Sequence, residues 1–128
     1  MKKLTPVIIV DQIEPCLPFW MDRLGFQKTN EVPDGDKLAF VILAKGNVEV
    51  MYQTKASVAK DVPALANQPG NPSTGLYIEV EKLDPVIKAL KGIEFVVPPR
   101  KTFYGAREVG VREPGGSLVM FAEFSRTE

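Results

Sequence analysis

A weak internal repeat limits most strictly what this chain can fold into. The run Pro6–Val10 (PVIIV) returns seventy residues later as Leu76–Val80 (LYIEV). Each run leads to a hydrophobe and then an acid–proline pair, Ile13-Glu14-Pro15 and Leu83-Asp84-Pro85. An acidic side chain can cap a helix N-terminus, and proline in the first turn sacrifices no hydrogen bond. Two strands therefore lead into two helices that begin alike. The first is expected over about Pro15–Leu24, with Leu17, Met21 and Leu24 as its apolar stripe and Gly25 at its end. Pro18 weakens its first turn. The second is expected over about Pro85–Lys91, with Val86, Ile87 and Leu90 inward and Gly92 after it.

Strands follow each helix. Phe26–Val32, Leu38–Leu43 and Val48–Gln53 are separated by Pro33-Asp34-Gly35 and Lys45-Gly46-Asn47. In the second half Ile93–Val97 reads as a strand ended by Pro98-Pro99. Arg107–Arg112 and Leu118–Phe124 then flank Pro114-Gly115-Gly116. Each half reads β-α-β-β-β. The expected organisation is one domain: a first module over about 4–53, a linker over 54–74 and a second module over about 75–124. The linker is rich in Ala, Pro, Asn and Gly, with room for a short helical turn near Pro63–Ala66.

Composition narrows the function. Sixteen basic and sixteen acidic residues cancel, so the chain carries no basic footprint for nucleic acid. No run approaches the length of a membrane-spanning helix. The start Met1-Lys2-Lys3 precedes an apolar run that stops at Asp11, and it reads as a first strand, not a signal peptide. A single cysteine, Cys16, excludes an internal disulfide and fits a cytoplasmic location. Histidine is absent, which removes the usual base near neutral pH and the commonest transition-metal ligand.

Two segments carry a resemblance. Val10–Phe26 (VDQIEPCLPFWMDRLGF) resembles the opening module of bleomycin-resistance-type proteins, with its aromatic pair at Phe19-Trp20 and LGF at Leu24-Gly25-Phe26. Phe103–Met120 (FYGAREVGVREPGGSLVM) resembles that family's second-module signature, a YG-x-R-E strand, an acid–Pro–x–Gly turn and a last strand. The family is the vicinal oxygen chelate (glyoxalase, bleomycin-resistance, extradiol dioxygenase) superfamily. The resemblance implies an α+β fold in which two βαβββ modules form a curved mixed sheet around a shared concave pocket. It also implies a homodimer, in some relatives with modules exchanged between chains. Metal-dependent relatives place their ligands on the first and last strands of each module. Carried over by spacing, those positions are Thr5, Glu49, Gly75 and Met120. Only Glu49 is a strong donor to a hard or borderline cation, so no metal and no other cofactor is expected.

Strand alternation extends this to a pocket lining. Thr5, Val7 and Ile9 share a face, as do Glu49, Met51 and Gln53, then Gly75, Tyr77 and Glu79, and finally Leu118, Met120 and Ala122. The opposite faces, including Ile8, Val10, Val50, Val119 and Phe121, should pack on the helices. The ligand-contacting candidates are Thr5, Val7, Met51, Phe103, Tyr104, Arg107 and Met120, of which Arg107 suits a carboxylate or phosphate. Thioethers and aromatics suit a small apolar or aromatic guest better than strongly cationic bleomycin. Trp20 and Cys16 read as core. The expected function is metal-free binding of such a molecule, as in drug or metabolite sequestration. The alternative is a metal-independent or weakly metal-dependent enzyme of the glyoxalase-related class, a lyase, isomerase or hydrolase, using Glu49 as catalytic base or else Tyr104. A Glu49 carboxylate facing empty space would favour the enzyme, and one held in an ion pair would favour the binder.

Overall fold

The first strand of each half returns to lie beside the last, and this defines the architecture. The computed structural model describes residues 3–61 and 75–125. The chain divides into two compact units, Met1–Asn71 and Pro72–Glu128. In the first, β1 (Val7–Val10), β2 (Gln27–Asp34), β3 (Lys37–Lys45) and β4 (Val48–Thr54) form a sheet in the order β1-β4-β3-β2. In the second, β5 (Leu76–Glu79), β6 (Val97–Lys101), β7 (Ala106–Arg112) and β8 (Leu118–Phe124) form a sheet in the order β5-β8-β7-β6. β1 runs parallel to β4 and β5 parallel to β8, and all other neighbours are antiparallel. The fold class is α+β, and the sequence repeat is a structural one.

Three local expectations need correction. Residues expected as one helix over Pro15–Leu24 form a 3₁₀ turn, Glu14–Cys16, and a π-helical turn, Phe19–Arg23. Pro18 explains the break, because it has no N–H to donate and its ring crowds the carbonyl four residues back. Phe26 N–H then closes the wide turn on the Trp20 carbonyl, with Gly25 at φ +78° between them. The acids after Ile13 and Leu83 do not cap by their side chains. Glu14 Oε2 instead accepts the Leu38 N–H of β3 at 2.7 Å. The strand expected over Ile93–Val97 begins at Val97 and runs through Pro98-Pro99 to Lys101. β6 is an edge strand whose register shifts between Val97 and Arg100, so the missing proline N–H groups cost no ladder bond.

Helix α1 (Lys55–Asp61) continues directly from β4, in what reads from sequence as linker, and Thr54 Oγ1 accepts the Ser57 N–H at 3.1 Å at its start. The turn expected near Pro63–Ala66 lies outside the described residues. Helix α2 (Asp84–Ala89) follows β5, with Leu83 and Leu90 fully buried at its two ends. Among the described residues no helix is long and apolar enough to cross a membrane.

Each sheet buries one face. In the first unit Ile8, Val10, Val41, Leu43, Val50 and Tyr52 are buried, as are Ile13, Cys16, Phe19, Trp20 and Phe26. Trp20 meets Phe19 and Phe26 edge to face at 5.1 and 4.9 Å, and its Nε1 donates to Tyr52 Oη at 2.8 Å. That bond ties the π-helical turn to β4. In the second unit Val109, Val111, Val119 and Phe121 are buried. Tyr52→Phe leaves the Trp20 N–H without its acceptor inside the core. Urea unfolding followed by Trp20 fluorescence should show a loss of about 1–3 kcal/mol, with the midpoint lowered and the slope unchanged.

Candidate functional site

The opposite faces are only partly covered, and period-two alternation decides what lies on them. On the first sheet, Val7 stands beside Met51 and Ile9 beside Gln53 across the parallel pair. Ala44, Ile42 and Phe40 of β3 stand opposite Glu49, Met51 and Gln53. Val7 and Ile9 are exposed at 48% and 41%, and Met51 is half-buried, so this face keeps exposed apolar surface, with α1 meeting it at Gln53, whose Nε2 donates to Ser57 Oγ at 3.0 Å. Phe40 and Gln53 also border an open cavity of about 610 Å³ whose lining includes Val32 and Asp34 of β2 and Ser57, Lys60 and Asp61 of α1.

Glu49 closes the far end of this face. Its Oε1 accepts the Thr5 hydroxyl at 3.0 Å and the Lys3 ammonium at 2.8 Å. Lys3, then Thr5, hold its carboxyl below the ordinary carboxylate range. The structure thus brings Thr5, Val7, Glu49 and Met51 together, and it places Glu49 in an ion pair. The donor set does not fit the divalent ion that the family can carry. Glu49 already has a cation, Gly75 has no side chain and Met120 offers a soft thioether. Among the described residues no group of three Asp, Glu, Cys or His side chains could hold a metal. Gly75 has a packing role as well, since a Cβ there would lie 3.3 Å from the Leu118 carbonyl oxygen.

On the second sheet Tyr77 stands opposite Met120, Met120 opposite Gly110, and Ala122 opposite Glu108. A Cβ on Gly110 would come within 2.5 Å of Met120 Sδ and 3.1 Å of Val97 Cβ, so the glycine lets the thioether lie flat on the sheet. Glu108 is fully buried on this face, as are Ala106, Gly110 and Ala122, while Tyr77 is exposed and Met120 half-buried. Its Oε1 accepts Arg100 Nε and Nη2 at 3.2 and 3.0 Å, and its Oε2 accepts the hydroxyls of Tyr77 and Tyr104. Burial pushes the Glu108 carboxyl up, but the donors from Tyr104, Tyr77 and Arg100 outweigh it and hold the group below its usual range. Burial, then the bond to Glu108, push the Tyr77 phenol well above its usual value.

Tyr104 therefore joins this cluster, while Phe103 is wholly exposed and meets Tyr104 edge to face at 5.1 Å. Arg107 points the other way. It lies opposite Glu123, and its Nη2 meets Asp84 of α2 at 3.3 Å. Glu108 and Arg100 escaped the sequence reading. The signal was present, because Glu108 is the glutamate of the YG-x-R-E segment and alternation from Met120 through Gly110 puts it on the same face as those two residues.

The chain belongs to the glyoxalase/bleomycin resistance protein/dioxygenase superfamily, whose family model matches residues 4–121. No curated protein matches it significantly in sequence. Solved structures share its fold at low identity. A glyoxalase/bleomycin resistance protein/dioxygenase from Nocardioides is 20% identical with a TM-score of 0.76, covering 100% of this chain and 87% of that one. A lactoylglutathione lyase from Agrobacterium tumefaciens is 14% identical with a TM-score of 0.72, covering 96% and 94%. TnmS3, an antibiotic binding protein from Streptomyces sp. CB03234, is 17% identical with a TM-score of 0.71, covering 98% of each chain.

The Glu108 cluster sets a pH dependence. A carboxyl whose pKa is depressed on folding adds stability above its unfolded value, about 4.3, and loses it as pH falls through the lower folded value. Glu108→Gln should lower Tm on the order of 5 °C at pH 7. The gap to wild type should close progressively below about pH 4 in thermal melts.

Proposed function

We propose that this protein binds a small, largely apolar or aromatic organic molecule on the open side of its sheets, without a metal ion, as a sequestering protein does. One observation carries the reading. Val7, Ile9, Met51, Tyr77 and Met120 leave apolar surface partly exposed on the face of each sheet opposite its own core, where side-chain alternation predicts the pocket lining. Soluble domains rarely leave contiguous apolar surface uncovered without a use for it. Two methionines among these residues give a lining that adapts to irregular guests. The cavity of about 610 Å³ beside Phe40 and Gln53 is within the range of small-molecule sites. TnmS3, which shares the fold, is described as an antibiotic binding protein, and that analogy supports the same reading.

The lyase or isomerase reading draws on the lactoylglutathione lyase neighbour and on Glu49 as base. The ion pair with Lys3 weighs against it, since a carboxylate held below its usual range is a poor base near neutral pH.

Titration with the neutral fluorescent probe N-phenylnaphthylamine, followed by a panel of planar aromatic antibiotics, tests the proposal. Saturable binding is expected, unchanged after dialysis against a chelator, with the ligand recovered intact. Met120→Glu should weaken the probe's affinity about tenfold, because it sets a charge against an apolar guest. Absence of saturable binding across probe and panel would refute the proposal, and chemically altered ligand would favour the enzyme.

A further inference from the structure

Tyr77 and Tyr104 share one acceptor, and this decides which way their hydroxyl protons point. An ionised carboxylate can only accept hydrogen bonds. Glu108 Oε2 takes both phenol hydroxyls, and Oε1 takes Arg100 Nε and Nη2. Each phenol has a single proton, and that proton is committed inward. Both rings are nonetheless half-exposed, at 51% for Tyr77 and 46% for Tyr104. Tyr104 Oη also lies within hydrogen-bonding reach of Arg100 and of the Tyr77 hydroxyl, which takes up part of its acceptor capacity. What the pair has left to offer is lone pairs, Tyr77 Oη foremost, made stronger acceptors by donation to an anion.

We propose that Tyr77 and Tyr104 form an acceptor subsite on the open face of the second sheet, which selects aromatic ligands bearing a hydroxyl or amino donor. The inference rests on the binding function proposed above and names the chemistry of the ligand. The surroundings suit a flat ring. Phe103 meets Tyr104 edge to face at 5.1 Å, Phe124 lies 6.4 Å from it on the other strand, and Met120 stands opposite Tyr77. The low carboxyl of Glu108 and the raised phenol of Tyr77 keep this proton arrangement fixed across neutral pH. A ligand carbonyl placed here would meet lone pair against lone pair and lose its solvation uncompensated.

β-Naphthol and its methyl ether isolate the effect, because they share a ring system and differ in the O–H donor. Equilibrium dialysis against the full-length protein should give β-naphthol about tenfold tighter binding than the ether. In the Tyr77→Phe/Tyr104→Phe double variant the preference should vanish while the ether binds as before, an outcome that loss of folding would not produce. Should that variant fail to fold, as judged by circular dichroism, Tyr104→Phe alone should still reduce the preference. Equal binding of the two by the wild type would overturn the subsite and leave the binding function standing. So would a preference that survives loss of the phenols, or tighter binding of β-naphthoate, which would seek the remaining N–H groups of Arg100. Binding of neither ring would overturn the binding function and the subsite together.

Discussion

The parallel pairing of first and last strands, β1 with β4 and β5 with β8, is the constraint on which the rest depends. Parallel neighbours cannot be joined by a tight turn, so each half must travel through helical turns and two more strands before it returns. The return sets residues distant in sequence side by side on one face. Thr5 meets Glu49, Val7 meets Met51 and Tyr77 meets Met120 for this reason alone. The same pairing leaves the opposite face to be covered by elements of its own half, and the Trp20–Tyr52 hydrogen bond fixes that cover in the first unit.

The two carboxylates on the open faces show how differently one fold can treat the same functional group. Glu49 sits at the end of a strand, and its ammonium partner on Lys3 is itself 62% exposed. Screening by solvent makes such a pair a weak contributor to stability. Glu108 sits mid-sheet with no solvent, so both its oxygens must be satisfied by the protein. Two phenols and a guanidinium do this, and they tie β5, β6 and the loop before β7 to one central atom group. Arg107, one residue earlier, points to the other face and meets Asp84 of α2 in a solvent-exposed ion pair. Neighbouring residues of a strand thus serve opposite sides of the sheet.

What the sequence disclosed was whatever depends on period and repetition. The duplicated β-α-β-β-β order, the hairpins after Asp34 and Lys45, and the faces carrying Val7, Met51 and Met120 all follow from alternation and turn chemistry. Strand–face membership is robust because a slip of one residue would turn every side chain over. The misses have other causes. Pro18 stops helical hydrogen bonding but does not say whether the chain resumes as an α or a wider π turn. Pro98-Pro99 reads as a terminator until β6 is known to be an edge. The ion pairs of Glu49 and Arg107 depend on Lys3 and Asp84, whose positions no periodicity foretells. Glu108 was hidden because a glutamate on an open strand face is ordinarily wet, and only the tyrosines and arginine around it make it interior.

The two prolines of β6 have a consequence for how the molecule behaves among its own copies. A sheet margin with a full row of unspent amides invites another chain to dock on it, and from there to stack without limit. At Pro98 and Pro99 that row is interrupted, and Lys101 adds a cation at the strand's end, Arg100 being turned onto Glu108. Like charges facing each other across such a junction repel. This margin is therefore a poor template for fibrous growth, and the molecule can keep greasy side chains on a sheet surface with less risk of precipitation.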